Sequence, residues 1–344
     1  MRIDPAQALK VGVVGTGNMG RNHLRVLATM PQFDLIGCYD NNSEVSQRYA
    51  HLYGIRAFQT PEELFERVDV AHIVVPSHLH AALAVAAAHQ GCHVLVEKPI
   101  ALNLADAQDI IDACKQADTK LCVGHVERFN PAIVSLESIT QNEEIISVDF
   151  RRMSPFYARV ADASVILDLM IHDIDVLSAL CPGPIRHICS HGAKVRSDKL
   201  DFAQALISFE DGTLASLTAS RVTESKIRRA QINTQKAFID IDYLGRSVEI
   251  SRQTSFALDV GYQMQYKQEN IIEKVVVPMD EPLRTEFERF ARSIVEDLPV
   301  EPSGEMGKHA LELCLRIEQD ILEQNGQLAN KAHKPSEALI AKDK

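Results

Sequence analysis

The stretch KVGVVGTGNMGRNH, residues 10–23, decides the fold of this chain. A short β-branched run leads into Gly15, Gly17 and Gly20, after which a helical pattern begins. In the first turn of a strand–helix–strand unit, glycines at this spacing allow a tight turn, close backbone approach to a pyrophosphate, and close packing of helix on strand. The first N–H groups of the helix then face an anion. The stretch predicts a dinucleotide-binding turn, and the alternative is a glycine-rich loop without a ligand.

The next apolar run, residues 33–39, ends in Asp40. A carboxylate at the end of the second strand accepts hydrogen bonds from ribose hydroxyls and repels a 2′-phosphate. No Arg or Lys occurs at positions 41–45. Asp40 therefore favours NAD over NADP, although residues 40–43 also fit a turn and helix cap. The NAD contacts predicted in this first unit are Gly15, Gly17, Asn18, Met19, Gly20 and Asp40.

Length and composition indicate a two-domain globular protein. The chain has 344 residues, and a single core rarely grows beyond roughly 250 to 300 residues. Its composition, 46% hydrophobic and 24% charged, is ordinary, and its formal charge is −11. This acidic balance argues against nucleic acid or an anionic membrane as the main partner.

Cysteine usage and the absence of long apolar runs indicate a cytoplasmic protein. The seven cysteines are scattered, contain no CxxC pair, and lie mostly within apolar runs, which is typical of free thiols in a reducing compartment. No apolar run approaches the ~18 residues of a membrane span, and no signal-peptide pattern begins the chain.

Strand and helix patterns alternate along the first third of the chain. Short apolar runs of the kind found in a covered parallel sheet occur at residues 10–14, 33–39, 70–75, 92–96 and 120–123. Thr60-Pro61-Glu62-Glu63 is a capping box that begins a helix. We expect an α/β fold with a Rossmann-type doubly wound parallel sheet over residues 1–123.

After residue 124 the pattern changes to successive strands, which predicts an α+β domain with an antiparallel sheet over residues 124–330. One helix is predicted at 164–180, and two more, near 283–296 and 304–323, close this domain. The chain from about 324 is polar, and residues 331–344 are assigned to a tail. Strands are predicted at 145–152, 185–190, 203–209, 213–220, 230–233 and 237–241, with a hairpin turn at Asp211-Gly212.

Polar residues follow two of the predicted parallel strands, at the edge of the sheet where ligands bind. One group is residues 76–80, PSHLH, and the other is Glu97-Lys98-Pro99. A charged pair at a buried strand end is costly unless it meets a polar partner. Pro99 also raises the chance of a cis bond that aims Lys98 into the crevice. The alternative is an exposed loop with a solvated ion pair.

The predicted helix SVILDLMIHDIDVLSAL carries a polar stripe on an apolar background. Asp168, His172 and Asp175 follow one another at i, i+4 and i+7. An imidazole between two acids is typical of a general base with an orienting carboxylate. Two alternatives are a solvent-facing edge widened by Asp173 and a metal site that includes His125. Because no committed ligand set is visible, we predict no metal.

These motifs, in their order and spacing, resemble the Gfo/Idh/MocA oxidoreductases along nearly the whole chain. The resemblance implies that Lys98 lies beside the nicotinamide and the reacting carbon, and that Glu97 holds the nicotinamide ribose. It further implies that His172 is the acid/base group and that Asp168 bonds substrate or imidazole. Cofactor contacts are expected from Pro76, His80, Glu97, Lys98 and Arg128, and substrate contacts from Lys98, Asn130, Arg159, Asp168, His172 and Arg228.

Four segments resemble a subgroup of this family that oxidises the C3 hydroxyl of UDP-N-acetylglucosamine to a 3-keto sugar for a following aminotransferase. They are GHVERFNPAI (124–133), SPFYARV (154–160), DLMIHDIDVL and SKIRRAQI (225–232). The sequence departs from the subgroup at 220–223, where a tryptophan is expected and the chain contains none. Basic residues that could meet a diphosphate, or could belong to a solvated strand face, are Arg159, Arg221, Lys226, Arg228 and Arg229.

Two other functions are alternatives to the oxidation of a nucleotide sugar. One is an inositol or simple-sugar dehydrogenase with the same machinery, and the other is a non-catalytic NAD(H)-sensing protein. Lys98 and His172 argue against a sensor, which needs the glycine turn but no acid/base pair. By the family resemblance, the exposed face of the second sheet would form a homodimer or homotetramer.

Overall fold

The first domain contains a parallel sheet of six strands. The computed structural model describes residues 8–141, 143–157, 163–260 and 263–332. The strand order is β3-β2-β1-β4-β5-β6, so the chain reverses direction across the sheet at β1 and β4, as in doubly wound nucleotide-binding folds. The strands are β1 (Leu9–Val14), β2 (Phe33–Tyr39), β3 (Arg56–Ala57), β4 (Val70–Ile73), β5 (His93–Glu97) and β6 (Leu121–Gly124).

Five helices connect these strands. Thr60 accepts a hydrogen bond from the Glu63 backbone N–H, so the predicted capping box does begin a helix. The two-residue strand β3 was not predicted because it lacks an apolar run. The helices are α1 (Gly20–Leu27), α2 (Ser43–Tyr53), α3 (Pro61–Phe65), α4 (His80–His89) and α5 (Leu104–Gln116).

The second domain contains a sheet of eight strands in the order β14-β13-β12-β11-β7-β10-β9-β8. Its first helix is α6 (Pro131–Thr140), and one π-turn (Ile166–Met170) leads directly into α7 (Ile171–Leu180). The strands are β7 (Ile145–Met153), β8 (Ile185–Ala193), β9 (Phe202–Phe209), β10 (Leu214–Ser220), β11 (Ile227–Thr234), β12 (Ala237–Asp242), β13 (Ser247–Val260) and β14 (Gln263–Val275).

The second sheet is mostly antiparallel, as predicted, and contains one parallel pair that the sequence did not indicate. Strands β7 and β10 run parallel, whereas the other neighbouring pairs are antiparallel. About sixty residues separate these two strands, enough for the crossover that a parallel pair needs. The predicted hairpin turn is confirmed, because Gly212 has a φ of +95° where β9 turns into β10. Strands β13 and β14 were missed because residues 247–275 hold few continuous apolar runs.

Two C-terminal helices differ from the prediction. Helix α8 (Pro282–Val295) was assigned to the second domain, but Phe287 and Phe290 pack in the core of the first domain with Leu24 of α1. Helix α9 (Gly304–Ala332) continues past residue 323 into the predicted polar tail, because Gln, Leu and Ala favour a helix without an apolar stripe. The predicted tail after residue 332 lies outside the described residues.

Helix α9 joins the two cores. Leu311 packs with the first domain, whereas Leu313 and Ile317 pack beneath the second sheet. All seven cysteines carry free thiols, and six of them are buried. None of the helices in the described part of the chain combines the length and apolar surface needed to span a lipid bilayer.

Candidate active site

The three glycines of the first turn occupy different environments. Gly15 has a φ of +91°, and a Cβ there would lie 2.3 Å from the main-chain oxygen of Val74. A Cβ on Gly20 would lie 1.9 Å from the main-chain oxygen of Gly15, so the start of α1 packs directly on the turn. Gly17 faces open space, with no atom within 4 Å of an added Cβ, and Asn18 beside it is exposed. The turn thus leaves its backbone open on the side where a pyrophosphate would approach.

Asp40 is fixed beside this turn at the end of β2. Its Oδ2 accepts hydrogen bonds from the Thr16 backbone N–H and hydroxyl, at 2.7 and 2.9 Å, and its Oδ1 accepts one from the Asn42 N–H at 2.9 Å. Asn42, not Asp40, caps α2 by accepting from the Glu44 N–H. The carboxylate therefore links the second strand end to the glycine turn, which fits the ribose of a dinucleotide.

Glu97 and Lys98 lie at the carboxyl end of β5. Glu97 is 8% exposed and accepts hydrogen bonds from His23 Nε2 at 3.0 Å and from the Lys98 N–H at 3.2 Å. The Lys98–Pro99 peptide bond is cis, as expected. The Lys98 ammonium donates to the main-chain oxygen of Asp168 at 2.7 Å and lies 3.7 Å from its carboxylate. The alternative of an exposed, solvated ion pair is therefore wrong.

The helix that carries His172 differs from the predicted regular helix. Residues 166–170 form a π-turn, and the α-helix begins only at Ile171. Such turns insert an extra residue and occur frequently at functional sites. Asp173 is buried against Arg152, with N···O distances of 2.7 to 3.0 Å, so the proposed solvent-facing edge is wrong.

The three residues of the predicted stripe have different surroundings. Asp168 pairs with Lys98, and Asp175 forms a bidentate pair with Arg128 at 2.6 and 2.8 Å. The Nδ1 atom of His172 is buried and has no hydrogen-bond partner among the described residues. The expected orienting carboxylate on that nitrogen is thus not found there, because each acid is held by a cation from another element.

His172 lies in a strongly electropositive environment. Burial holds the pKa of its imidazole well below the usual value, and the charges of Lys98 and Arg152 lower the pKa further. A neutral imidazole can accept a proton. The ring is therefore in the unprotonated state that a general base requires.

A cluster of charged residues lies behind His172 and was missed by sequence reasoning. Arg152 on β7 is 1% exposed and lies between Asp173 and Glu127. Burial would raise the pKa of Glu127, but the guanidinium groups of Arg152 and Arg228 outweigh burial and lower that pKa. The only sequence signal was an arginine inside the apolar strand IISVDFRRM.

Arg228 is the member of this cluster that remains accessible. It lies on β11, its side chain is 34% exposed, and its Nη1 donates to Glu127 Oε1 at 3.1 Å. The next residue, Arg229, is exposed and points to the opposite face, because neighbouring strand residues alternate.

Other predicted contact residues are already engaged. Arg221 is buried with its guanidinium on the main-chain oxygens of Ala163 and Leu200, so it does not reach an open site and its assignment to a diphosphate is wrong. Lys226 is exposed and immediately precedes β11. Arg159 lies outside the described residues.

Two further predicted residues, His80 and Asn130, make side-chain contacts with the fold itself. Both ring nitrogens of His80 lie 2.9 Å from main-chain oxygens, those of Pro99 and Val75, while Pro76 is exposed. Burial lowers the pKa of His80. Asn130 accepts from the Ala132 N–H and caps α6. Their predicted ligand contacts, like that of Arg128, stay predictions.

The described residues contain no group of three or more His, Cys, Asp or Glu side chains arranged to hold a metal ion. The surroundings of His125 show why it does not belong to such a group. Its Nδ1 lies 3.9 Å from Asp175, whose carboxylate is occupied by Arg128.

Comparisons with known proteins agree with this architecture. A model described as an oxidoreductase family with an NAD-binding Rossmann fold matches residues 9–125, and a Gfo/Idh/MocA C-terminal domain model matches residues 141–240. A UDP-N-acetylglucosamine 3-dehydrogenase of Acidithiobacillus ferrooxidans is 30% identical over 309 residues, which cover 90% of this chain and 96% of that protein. A myo-inositol 2-dehydrogenase of Thermotoga maritima is 25% identical over 92% of this chain and 97% of that protein.

Solved structures also match this fold. A structure of the Acidithiobacillus ferrooxidans UDP-N-acetylglucosamine 3-dehydrogenase matches with a TM-score of 0.84, covering 92% of this chain and 98% of that chain. The predicted two-domain α/β fold and the predicted NAD cofactor are confirmed. This chain is an NAD-binding oxidoreductase and belongs to the Gfo/Idh/MocA family.

Proposed function

We propose that this protein oxidises the C3 hydroxyl of a UDP-linked N-acetylhexosamine, UDP-N-acetylglucosamine, to a ketone that a following aminotransferase consumes. The observation that carries the proposal is the meeting of Lys98 from the first domain with Asp168 and the His172 helix from the second. The 30% identity to a UDP-N-acetylglucosamine 3-dehydrogenase along nearly the full chain supports the same substrate.

The cofactor fits the first domain. The open backbone at Gly17 suits the pyrophosphate, and the fixed carboxylate of Asp40 suits the adenosine ribose. When bound, NAD supplies the acceptor for the hydride that leaves the sugar carbon.

The chain's own residues handle the proton and the developing charge. An unprotonated ring nitrogen of His172 takes the hydroxyl proton as the carbon loses hydride, so oxidation yields a ketone and one released proton. The Lys98 ammonium donates a hydrogen bond to the same oxygen and stabilises its partial negative charge. Asp168, through its main-chain oxygen and carboxylate, keeps that ammonium oriented.

Arg228 is proposed as the cation that meets the substrate diphosphate. Glu127 holds it without covering it, and a guanidinium pairs well with phosphate oxygens. Arg159 stays a predicted substrate contact.

The outer face of the second sheet is proposed to join copies of this chain. Leu206 and Leu214 are 55% and 54% exposed on that face, and their strand partners Ser216 and Ser208 are small. A flat face of this composition suits close packing with a second copy. Leu206→Glu should shift the protein towards monomers in sedimentation velocity, and an unchanged oligomer would contradict this interface.

A substrate screen tests the proposed activity. NADH formation is measured with UDP-N-acetylglucosamine, free N-acetylglucosamine, glucose 6-phosphate and inositols at equal concentrations. We expect kcat/KM for the UDP-sugar to exceed the others by at least about a hundredfold, which corresponds to roughly two charged phosphate contacts. A preference for an inositol or a simple sugar would favour the competing dehydrogenase function.

A further inference from the structure

Three buried polar side chains, Glu97, His23 and His72, form a hydrogen-bonded row beneath the predicted active site. Glu97 at the end of β5 accepts from His23 Nε2 at 3.0 Å, and His23 Nδ1 lies 3.0 Å from His72 Nδ1. Both imidazoles are completely buried, His23 on α1 and His72 on β4. This row of side chains thus links the helix of the glycine turn to the residue before Lys98.

The hydrogen bonds in this row of side chains all point towards Glu97. The two Nδ1 atoms share one proton, and burial together with His23 keeps the pKa of His72 well below its usual value. The assignment that leaves no buried N–H without a partner has His72 Nδ1–H donating to His23, and His23 Nε2–H donating to Glu97. Glu97 is the terminal acceptor.

Within the described residues, the row ends at the buried ring of His72. His72 Nε2 is buried and has no partner among the described residues, and the aromatic rings of Phe33 and Phe287 lie beside the imidazole. A row of groups that ends against aromatic rings suits the orientation of Glu97 better than the conduction of protons. Apolar side chains of similar volume would fill the same space without buried polar groups.

We propose that His23 and His72 are positioning residues that hold Glu97 as a carboxylate in one orientation at the cofactor site. The inference rests on the proposed function in one respect, the role of Glu97 at the nicotinamide ribose. The same carboxylate accepts from the Lys98 N–H, so its orientation also fixes the residue that faces the substrate.

The surroundings of Glu97 explain why it needs this support. Burial acts to raise its pKa, but the hydrogen bond from His23 together with the charge and backbone N–H of Lys98 outweighs that effect and lowers it. Loss of the His23 hydrogen bond would therefore raise the pKa of this buried carboxyl, and a protonated carboxyl has less acceptor capacity for a ribose hydroxyl. The other titratable or charged groups around it, from each neighbouring element, are Lys98, His80, Cys122, His125 and Glu286.

The test measures NADH affinity against pH, without any sugar, in three variants. His23→Leu removes the donor to Glu97, His23→Gln keeps an N–H near the position of Nε2, and His72→Leu removes only the distal partner. His89→Leu is the matched control, because His89 is exposed at the end of α4. We expect wild-type affinity to be nearly constant between about pH 6 and pH 9.

His23→Leu should bind NADH at least about tenfold more weakly at the acidic end of this range, which is the loss expected for one hydrogen bond to a charged group. The affinity should recover as pH rises and the carboxyl loses its proton. His23→Gln should restore the flat profile, and His72→Leu should give a smaller loss of the same form. If both Leu variants fold and bind NADH with wild-type affinity at every pH, the proposal is wrong. If His23→Leu does not fold, the NADH affinity of His72→Leu against pH is the test, and wild-type affinity at every pH would contradict the proposal. Because no sugar is present, the result is independent of the substrate assignment.

Discussion

The ammonium of Lys98 lies 2.7 Å from the main-chain oxygen of Asp168 and joins the strand end of the first domain to the π-turn of the second. This contact is the basis for the proposal that cofactor and substrate meet beside Lys98. His172 follows one helical turn later, and burial, with the charges of this ammonium and of Arg152, holds the pKa of its imidazole well below the usual value. The predictions below depend on that arrangement.

His172 should act as the base in alcohol oxidation. His172→Asn is expected to lower kcat by roughly a hundredfold or more and to leave NADH affinity unchanged, since only the proton acceptor is lost. Because its pKa is depressed and the unprotonated form is active, kcat/KM of the wild type should fall only below the usual value of 6.5. Near-normal turnover of the variant, or an acidic limb above that value, would contradict the assignment.

Asp40 should determine the preference for NAD. Asp40→Ala removes the ribose acceptor and the charge that repels a 2′-phosphate, so the affinity for NAD should fall more than that for NADP. Titration calorimetry with both cofactors checks this, and Asp34→Ala, an exposed acid on the same strand, is the control. A wild-type protein that binds NADP at least as tightly as NAD would rule out this role.

Arg228 and Arg229 provide a matched pair for the substrate diphosphate. Arg228→Ala should raise KM for the UDP-sugar by roughly ten- to a hundredfold, the value of one charge-assisted phosphate contact, and should barely affect a free sugar. Arg229→Ala, on the opposite face of the same strand, should change neither KM. Equal effects of Arg228→Ala on both substrates, or none, would favour the simple-sugar alternative.

Glu286 on α8 should reduce stability at alkaline pH. Its carboxyl group is fully buried, and burial, Glu97 and Asp175 raise its pKa well above the usual 4.5. The folded state therefore holds a proton that the unfolded chain releases, and stability falls as pH rises through the raised pKa. Glu286→Met should raise the unfolding free energy by about 1 kcal/mol or more, with a larger gain near pH 8 than near pH 5. Urea denaturation at both values would contradict this if the gain were equal or reversed.

The parts of the fold that follow from local pattern were predictable. Glycine spacing and short apolar runs indicated five of the six parallel strands, and the Glu97-Lys98-Pro99 segment indicated a site at a strand end. The π-turn before His172 was not predictable, because the same residues also fit a regular helix. The direction of β10 against β7 depends on a long connection that carries no local signal.

The site was less predictable where it depends on distant partners. Spacing predicted Asp168 and His172 on one helix. Nothing in that helix indicates that its other two acids form ion pairs with Arg152 and Arg128. Arg221 sits in a segment that reads as a solvated strand end, yet it is buried. Such pairings arise from tertiary packing, which a periodicity argument does not contain.

Transfer of deuterium from the sugar to the cofactor tests the central claim most directly. UDP-N-acetylglucosamine labelled with deuterium at C3 is incubated with NAD and the wild-type protein, and the label in NADH is measured by mass spectrometry. The proposed reaction predicts that deuterium appears in NADH in proportion to the ketone formed, and that His172→Asn reduces both together. NADH that forms without the C3 deuterium would contradict oxidation at this carbon.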